Sequence, residues 1–255
     1  MIKFFRHIRK DLMDQNNTGK YLKYAIGEIL LVVIGILIAL QINNWNEERK
    51  TSKRTAYLYN QLHKEFKRDS LNLEAFIYLT RQKITGGNQI KSYLKGENIG
   101  RDSLITNLFF NGKALIFTSL TPTYNEIIST GQLALINNDS LKGLIYEYKD
   151  YLNKVNSLVF EESKNIKMAY NNYLYNYFEH EIMTKLFEST KEEAYPKLDW
   201  LDNYDHDLEA FKNDAQSLYH VNANTGADSE LHRTYTTSIM NRLENILHQL
   251  RAVNK

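Results

Sequence analysis

The longest apolar run of the chain extends from Tyr24 to Trp45 and reads YAIGEILLVVIGILIALQINNW. Its main polar interruptions are Glu28 and Gln41. A helix needs about 20 mostly apolar residues to cross the hydrocarbon core of a bilayer, and aromatic side chains favour the two interfaces. The pattern therefore predicts one transmembrane helix over residues 21–45.

The leader before this run, residues 1–20, has an amphipathic pattern. Ile2, Phe5, Ile8 and Leu12 fall at helical spacing, while lysines and arginines cover the other faces. Such a pattern is typical of a short helix that lies in the headgroup region of an anionic leaflet. A flexible basic tail is the alternative.

The basic residues around the predicted span indicate its orientation. A cleaved signal peptide has a shorter apolar core followed by small residues, which this segment lacks, so we expect it to stay as an anchor. Lysine and arginine concentrate on the cytoplasmic side of a span. We therefore expect a cytoplasmic N-terminus and a periplasmic C-terminal domain in a bacterial inner membrane. The basic residues before the span are Lys3, Arg6, Arg9, Lys10, Lys20 and Lys23, and those soon after it are Arg49, Lys50, Lys53 and Arg54.

The segment after the span is charged but contains no helix breaker, so the membrane helix is predicted to continue as a long stalk helix. Apolar residues then recur near a period of 3.6, which indicates one buried helical face. We expect this helix to end at Gly86 and Gly87. The apolar positions are Leu58, Leu62, Phe66, Leu73, Ile77 and Ile84.

Two helix starts are recognisable in the middle of the chain. Thr123 and Glu126 have the spacing of a capping box, which predicts a short helix over Tyr124–Ser129. Asn138 opens a second helix, which is predicted to be the longest of this region and to end near Phe187.

This second helix shows alternating steps of four and three between apolar residues, as in a helix packed at coiled-coil angles. Glu162 interrupts the pattern, and we expect its carboxylate to be paired. The positions are Leu141, Ile145, Tyr148, Leu152, Val155, Val159, Glu162, Ile166, Ala169, Tyr173 and Asn176.

The C-terminal part is predicted to contain an acidic loop over Asp199–Asp207, a helix over Leu208–Val221, a turn around Gly226 and a last amphipathic helix. We expect the fold to be all-α, with residues 46–255 forming an antiparallel helical bundle outside the cytoplasm. The stripe of the last helix is Leu231, Tyr235, Ile239, Leu243, Ile246, Leu250 and Val253.

Composition narrows the possible chemistry. The chain has 32 basic and 30 acidic residues, a net charge of +2, so no overall field favours nucleic acid as a partner. It has no cysteine, which excludes disulfides, thiol catalysis and cysteine metal sites. No known phosphate-binding, zinc-binding or nucleophile motif is present. We therefore assign no catalytic residue, cofactor or metal, and expect the protein not to be an enzyme.

Three residues of the predicted span are candidates for a role in the membrane. Glu28 is ionisable, and intramembrane carboxylates are costly enough to be functional candidates, although this one lies close enough to the interface to reach headgroups. Gly35 and Ala39 are separated by one helical turn, a spacing that permits close helix contact and self-association.

The acidic loop is the best metal candidate, because hard cations bind carboxylate oxygens. It lacks the glycine and the final glutamate of a calcium-binding loop, so a solvated acidic surface is the favoured interpretation. Its candidate residues are Asp199, Asp202, Asp205, His206 and Asp207.

Two blocks resemble an uncharacterised family of single-pass membrane proteins from Gram-negative bacteria, a domain-of-unknown-function group. The first is IKFFRHIRKDLM followed by KYLKYAIGEILLVVIGILIALQINNWNEERK, and the second is PTYNEIISTGQLALINNDSLKGLIYEY. The resemblance implies a membrane location and an N-terminal anchor of the YAIGEILLVVIGILIALQINNWNE type. It implies no activity, substrate or functional residue.

These observations lead to three hypotheses. The first is a bitopic membrane protein with a periplasmic domain for interaction or sensing, which acts through protein partners or as a homo-oligomer, because the leader is too short for an output domain. The alternative is an accessory subunit of an ion-driven transport or motor complex, with Glu28 as a protonatable group. A membrane-tethered enzyme that uses the acidic loop is the third.

Overall fold

A computed structural model describes residues 18–192, 198 and 204–253. The described residues form helices and their connections and contain no strand, which confirms the all-α prediction. The helices are α1 (Thr18–Leu94), α2 (Arg101–Asn111), α3 (Pro122–Ser129), α4 (Asp139–Val155), α5 (Glu161–Leu174), α6 (His180–Glu192), α7 (Asp205–Asn213), α8 (Ser217–Glu230) and α9 (Thr237–Val253). A 3₁₀ turn at Gln132–Leu135 precedes α4, and π-helical turns at Asn156–Phe160 and Leu231–Thr236 join α4 to α5 and α8 to α9.

The chain divides into two compact units, Met1–Leu58 and Tyr59–Lys255. The described part of the first unit belongs to α1. The large apolar side chains of its long apolar run are exposed, with Leu30, Ile34 and Ile38 all more than half accessible, whereas Leu58 at the end of the unit is buried. The helix continues without a break to Leu94, so the apolar segment and the charged segment after it form one helix, as predicted.

In the second unit, α1 buries a regular heptad face, which only partly coincides with the predicted apolar stripe. Ile77 and Ile84, which were predicted to be buried, are only partly buried. The buried positions alternate in steps of four and three, and three of them carry polar side chains. They are Leu62, Phe66, Asp69, Leu73, Phe76, Thr80, Lys83, Gly87 and Ile90.

The predicted helix end at Gly86 and Gly87 is wrong, because both glycines lie inside α1. They are buried where other side chains approach the helix closely. A Cβ on Gly87 would lie 2.2 Å from Thr225 Oγ1, and a Cβ on Gly86 would lie 2.7 Å from Asn107 Oδ1. The two glycines therefore allow close packing and do not end the helix.

We expect Gly87→Ala to lower the free energy of unfolding by about 1–3 kcal/mol, because an added methyl group overpacks the contact with Thr225. Thr225 is buried, and its hydroxyl donates to Val221 O at 2.7 Å, so it cannot turn away without losing that bond. Gly143→Ala is the matched control, since its Cβ would meet no atom within 4 Å. Alanine is the better helix former, so Gly143→Ala should stabilise α4 by up to about 1 kcal/mol. Urea unfolding followed by circular dichroism measures the free energy of unfolding of both variants. A change of the same sign in the two variants would contradict the packing argument.

The predicted long helix after Asn138 begins as expected, with Asn138 Oδ1 accepting from Leu141 N at 2.9 Å. It does not run unbroken to Phe187, because a π-helical turn interrupts it and α5 ends at Leu174. A π turn inserts one residue, so the buried face shifts by one position after it. The predicted positions Glu162, Ile166 and Ala169 are exposed or only partly buried. The buried positions of α5 are Ser163, Lys167, Tyr170, Tyr173 and Leu174, so of the predicted positions in this helix Tyr173 is buried.

The boundaries of the C-terminal helices also differ from the prediction. The chain forms no turn at Gly226, because α8 runs through this residue and continues through the second π turn into α9. The predicted helix over 208–221 is interrupted, with α7 ending at Asn213 and α8 beginning at Ser217. The stripe of the last helix is confirmed at Leu231, Ile239, Leu243, Ile246 and Leu250, all buried. In the packed unit α9 contacts α4, α8 contacts α5, and α6 contacts α2.

Candidate functional site

The three candidate membrane residues lie in the apolar part of α1. Glu28 is partly buried, whereas Gly35 and Ala39 are exposed. A Cβ added to Gly35 would meet no atom within 4 Å. The small face formed by Gly35 and Ala39 is therefore uncovered in the part of the chain that the structure describes.

The acidic loop is only partly a loop. Asp199 and Asp202 lie outside the described residues, whereas Asp205, His206 and Asp207 form the first turn of α7. Carboxylates in a first turn stabilise a helix through its macrodipole. Asp205 Oδ1 also lies 3.5 Å from Arg101 Nε.

These groups therefore have a structural explanation that requires no ion. Within residues 18–192, 198 and 204–253, no group of three or more acidic, histidine or cysteine residues could hold a metal.

Sequence reasoning missed a buried charged cluster formed by Lys83 of α1, Lys167 of α5 and Asp228 of α8. Lys167 Nζ lies 2.7 Å from Asp228 Oδ1, and Lys83 Nζ lies 3.8 Å from Asp228 Oδ2. Lys83 Nζ also donates to the carbonyl oxygen of Lys113. All three charged side chains are at most 3% exposed, so solvent does not screen their interactions.

The cluster holds two amines but one carboxylate. Burial lowers the pKa of Lys83 well below its ordinary value of 10.5; Asp228 opposes this shift and Lys167 adds to it. The fold therefore favours the neutral amine at Lys83, where Lys113 O accepts its hydrogen bond. This leaves Lys167 and Asp228 as a balanced ion pair at 2.7 Å, the arrangement in which buried charges are tolerated.

Two further buried carboxylates on α1 hold the start of α3 and the segment before it. Asp69 accepts hydrogen bonds from Leu120 N at 3.0 Å and from Tyr148 Oη at 3.1 Å. Glu65 accepts from Thr123 N at 3.0 Å and from Thr123 Oγ1 at 2.6 Å. The predicted capping box is therefore wrong, because the Thr123 hydroxyl is bonded to Glu65 of α1. With these donors in place, both carboxylates have a structural role.

A third polar group ties the end of α5 to the segment before α8. Asp214 Oδ2 accepts from Tyr173 Oη at 2.6 Å and also from Tyr177 Oη. These two phenols, with the Gln216 backbone N–H, lower the pKa of Asp214 to about 2. The carboxylate therefore remains ionised across the physiological range and fastens the connection between α7 and α8.

A pocket of about 290 Å³ opens between α5 and α8. Both π turns contribute to it, with Val159 from the first and with Leu231 and Tyr235 from the second. Two carboxylates, Glu162 and Glu230, also line it. The prediction that Glu162 is paired inside a helical seam is wrong, because the π turn moves this residue out of the buried face to the pocket.

The pocket and the buried cluster lie on the same two helices. Ser163 and Ala227 line the pocket. Lys167 follows Ser163 by one helical turn, and Asp228 is the residue after Ala227. Together these groups form the candidate functional site of the described structure.

A family of unknown function, DUF6090, matches residues 28–188, which is more than half of the chain. The chain belongs to this family. The DUF6090 match includes Glu28, Lys83, Glu162 and Lys167 but ends before Asp228 and Glu230 of α8. It confirms the expected membership of an uncharacterised family and adds no activity.

No curated protein and no solved structure matches the chain.

Proposed function

We propose that this protein is a bitopic membrane protein whose helical domain lies in the periplasm, senses a ligand or binds a partner there, and acts through other proteins. The observation that carries the proposal is the apolar part of α1. An 18-residue window of this helix has a mean hydropathy of 2.6, and none of the window is buried within the protein. So large an apolar surface is strongly unfavourable in water, whereas a bilayer covers it.

The length of α1 and the distribution of charge support the proposed arrangement. A helix of about 20 residues spans the hydrocarbon core of a bilayer. Because α1 has 77 residues, it extends well beyond the thickness of one bilayer. The lysines and arginines before the apolar run outnumber those soon after it, which favours a cytoplasmic N-terminus. The periplasm is then the compartment of the C-terminal domain.

The buried cluster supports a sensing role. Lys83 belongs to the same uninterrupted helix as the apolar segment, and its charged neighbours belong to α5 and α8. A ligand or partner that changes how α5 packs against α8 therefore acts on Asp228 and, through it, on α1. Buried charges respond strongly to small displacements because no solvent screens them.

Membrane extraction and labelling test this proposal. We expect the protein to stay in the membrane pellet after alkaline carbonate extraction, and its release into the supernatant would overturn the anchor. Because the chain has no cysteine, single cysteines can report the orientation. With an impermeant maleimide, exposed Asn153→Cys should react in intact spheroplasts, and Gly19→Cys should react only after lysis. The reverse pattern would overturn the orientation and leave the anchor intact.

A further inference from the structure

We infer that the pocket between α5 and α8 binds a small aliphatic amine in its protonated form. This inference deepens the proposed function by naming a ligand class for the sensing domain, and it rests on that function only for its biological meaning. Binding itself depends on the pocket, so it can be measured whichever way the domain faces.

The charge of the pocket favours a cation. Glu162 and Glu230 approach it from different helices, and within the described part of the chain neither carboxylate has a hydrogen bond or an ion pair. The neighbouring Glu161, by contrast, lies 3.9 Å from Lys164. Both side chains are also exposed to solvent at the pocket, so a cation bound there can reach two carboxylates at once.

The buried cluster does not supply this cation. Lys167 is paired with Asp228 at 2.7 Å, and Lys83 favours its neutral form. The carboxylates of the pocket therefore remain accessible to a ligand.

The walls of the pocket favour an organic cation over a metal ion. Val159, Ile166 and Leu231 give it apolar surface, and Ala223 and Ala227 leave room between the helices. A calcium ion takes six to eight oxygen ligands, and magnesium takes six. Two carboxylates meet that demand poorly, whereas an ammonium group with an alkyl chain satisfies the carboxylates and the apolar walls together.

The size and backbone of the pocket agree with a small ligand. Its volume of about 290 Å³ lies at the lower end for small-molecule sites and suits a short chain. Val159 and Tyr235 reach the pocket from the two π turns. Single π turns occur frequently at functional sites, because the inserted residue redirects side chains from a regular helical face.

Calorimetric titration of the full-length protein in lipid nanodiscs tests the inference, with 1,5-diaminopentane as the probe. We expect saturable binding, and we expect 1,5-pentanediol, which has the same carbon chain but no charge, not to bind. Absence of saturable diamine binding, or equal binding of the diol, would overturn the inference. Competition by calcium at equimolar concentration would also overturn it, because it would show a metal site.

Substitutions locate the binding in the pocket. Glu162→Gln and Glu230→Gln should each weaken diamine binding about tenfold or more, because each removes a charge-assisted contact. Ala227→Leu should abolish binding by filling the pocket. Glu161→Gln is the matched control on the same helix and should leave binding unchanged.

If Glu161→Gln weakens binding as much as Glu162→Gln, the binding arises from general surface charge and the inference fails. Circular dichroism of every variant establishes that the fold is retained. Failure of amine binding would leave the carbonate and labelling results unaffected, so the inference and the proposed anchor fail separately.

Discussion

Asp228→Asn is expected to lower the free energy of unfolding by about 3–5 kcal/mol, the usual cost of removing one partner from a buried ion pair. The substitution keeps the shape of the side chain but leaves the Lys167 ammonium group, 2.7 Å away, without a counter-charge. Lys83, whose Nζ lies 3.8 Å from the same carboxylate, loses the charge that opposes the lowering of its pKa. Urea unfolding of the detergent-solubilised protein, followed by circular dichroism, gives the magnitude.

Two comparisons separate this effect from a general loss of charge. Asp150→Asn removes a carboxylate that lies 2.7 Å from Lys154 on the surface, where both side chains are about two-thirds exposed. An exposed pair of this kind contributes at most about 1 kcal/mol. A Lys167→Met background should restore much of the stability that Asp228→Asn removes, because the uncompensated charge is then absent. Equal costs for Asp228→Asn and Asp150→Asn would contradict the buried pair.

Lys83→Met is expected to raise stability at neutral pH by about 1 kcal/mol or more, because burial makes the wild-type amine give up its proton on folding, a cost that methionine does not have. It should also flatten the dependence of stability on pH. Because burial lowers the pKa of Lys83 in the folded protein, the unfolded chain binds one more proton between that lowered pKa and 10.5. Stability of the wild type therefore rises with pH through this window, by up to about 1.4 kcal/mol per pH unit.

The predicted pH dependence is tested by measuring the unfolding of the wild type and the variant at several alkaline pH values. The slope that Lys83 contributes should disappear in Lys83→Met and persist in Lys64→Met, which replaces an exposed lysine of the same helix. A pH slope that is the same in all three proteins would show that Lys83 is protonated in the fold to the same extent as in the unfolded chain.

The heptad face of α1 shows why the buried cluster was not predicted. Its spacing is regular, but Asp69, Thr80 and Lys83 occupy three of its positions. A buried helical face is recognised in a sequence by the period of its apolar residues, and these polar residues interrupt that period. A search for alternating steps of four and three that tolerates polar residues finds the face from Leu62 to Ile90. The burial of Lys83 still requires Asp228, which is far away in the sequence and not detectable by spacing.

The π turns explain why the pocket could not be predicted from the sequence. The regular pattern from Leu141 to Val155 is confirmed, but one inserted residue moves Glu162 out of the buried face and brings Lys167 into it. The insertion leaves no local signal in the composition of Asn156–Phe160. Nothing in the sequence pairs Glu162 with Glu230, since the pocket exists only once α5 packs against α8.

Several features that depend only on near neighbours along the chain follow directly from the amino-acid sequence. These are the apolar segment of α1 and its continuation as one helix, the cap at Asn138 and the stripe of α9. Local spacing is sufficient to predict these features, because burial of one helical face sets the spacing of the apolar residues. Packing between helices sets which polar groups are buried, where glycine permits a helix crossing and where a π turn shifts a buried face. These features arise from contacts between distant segments, whose charges and volumes balance only after the helices have packed together.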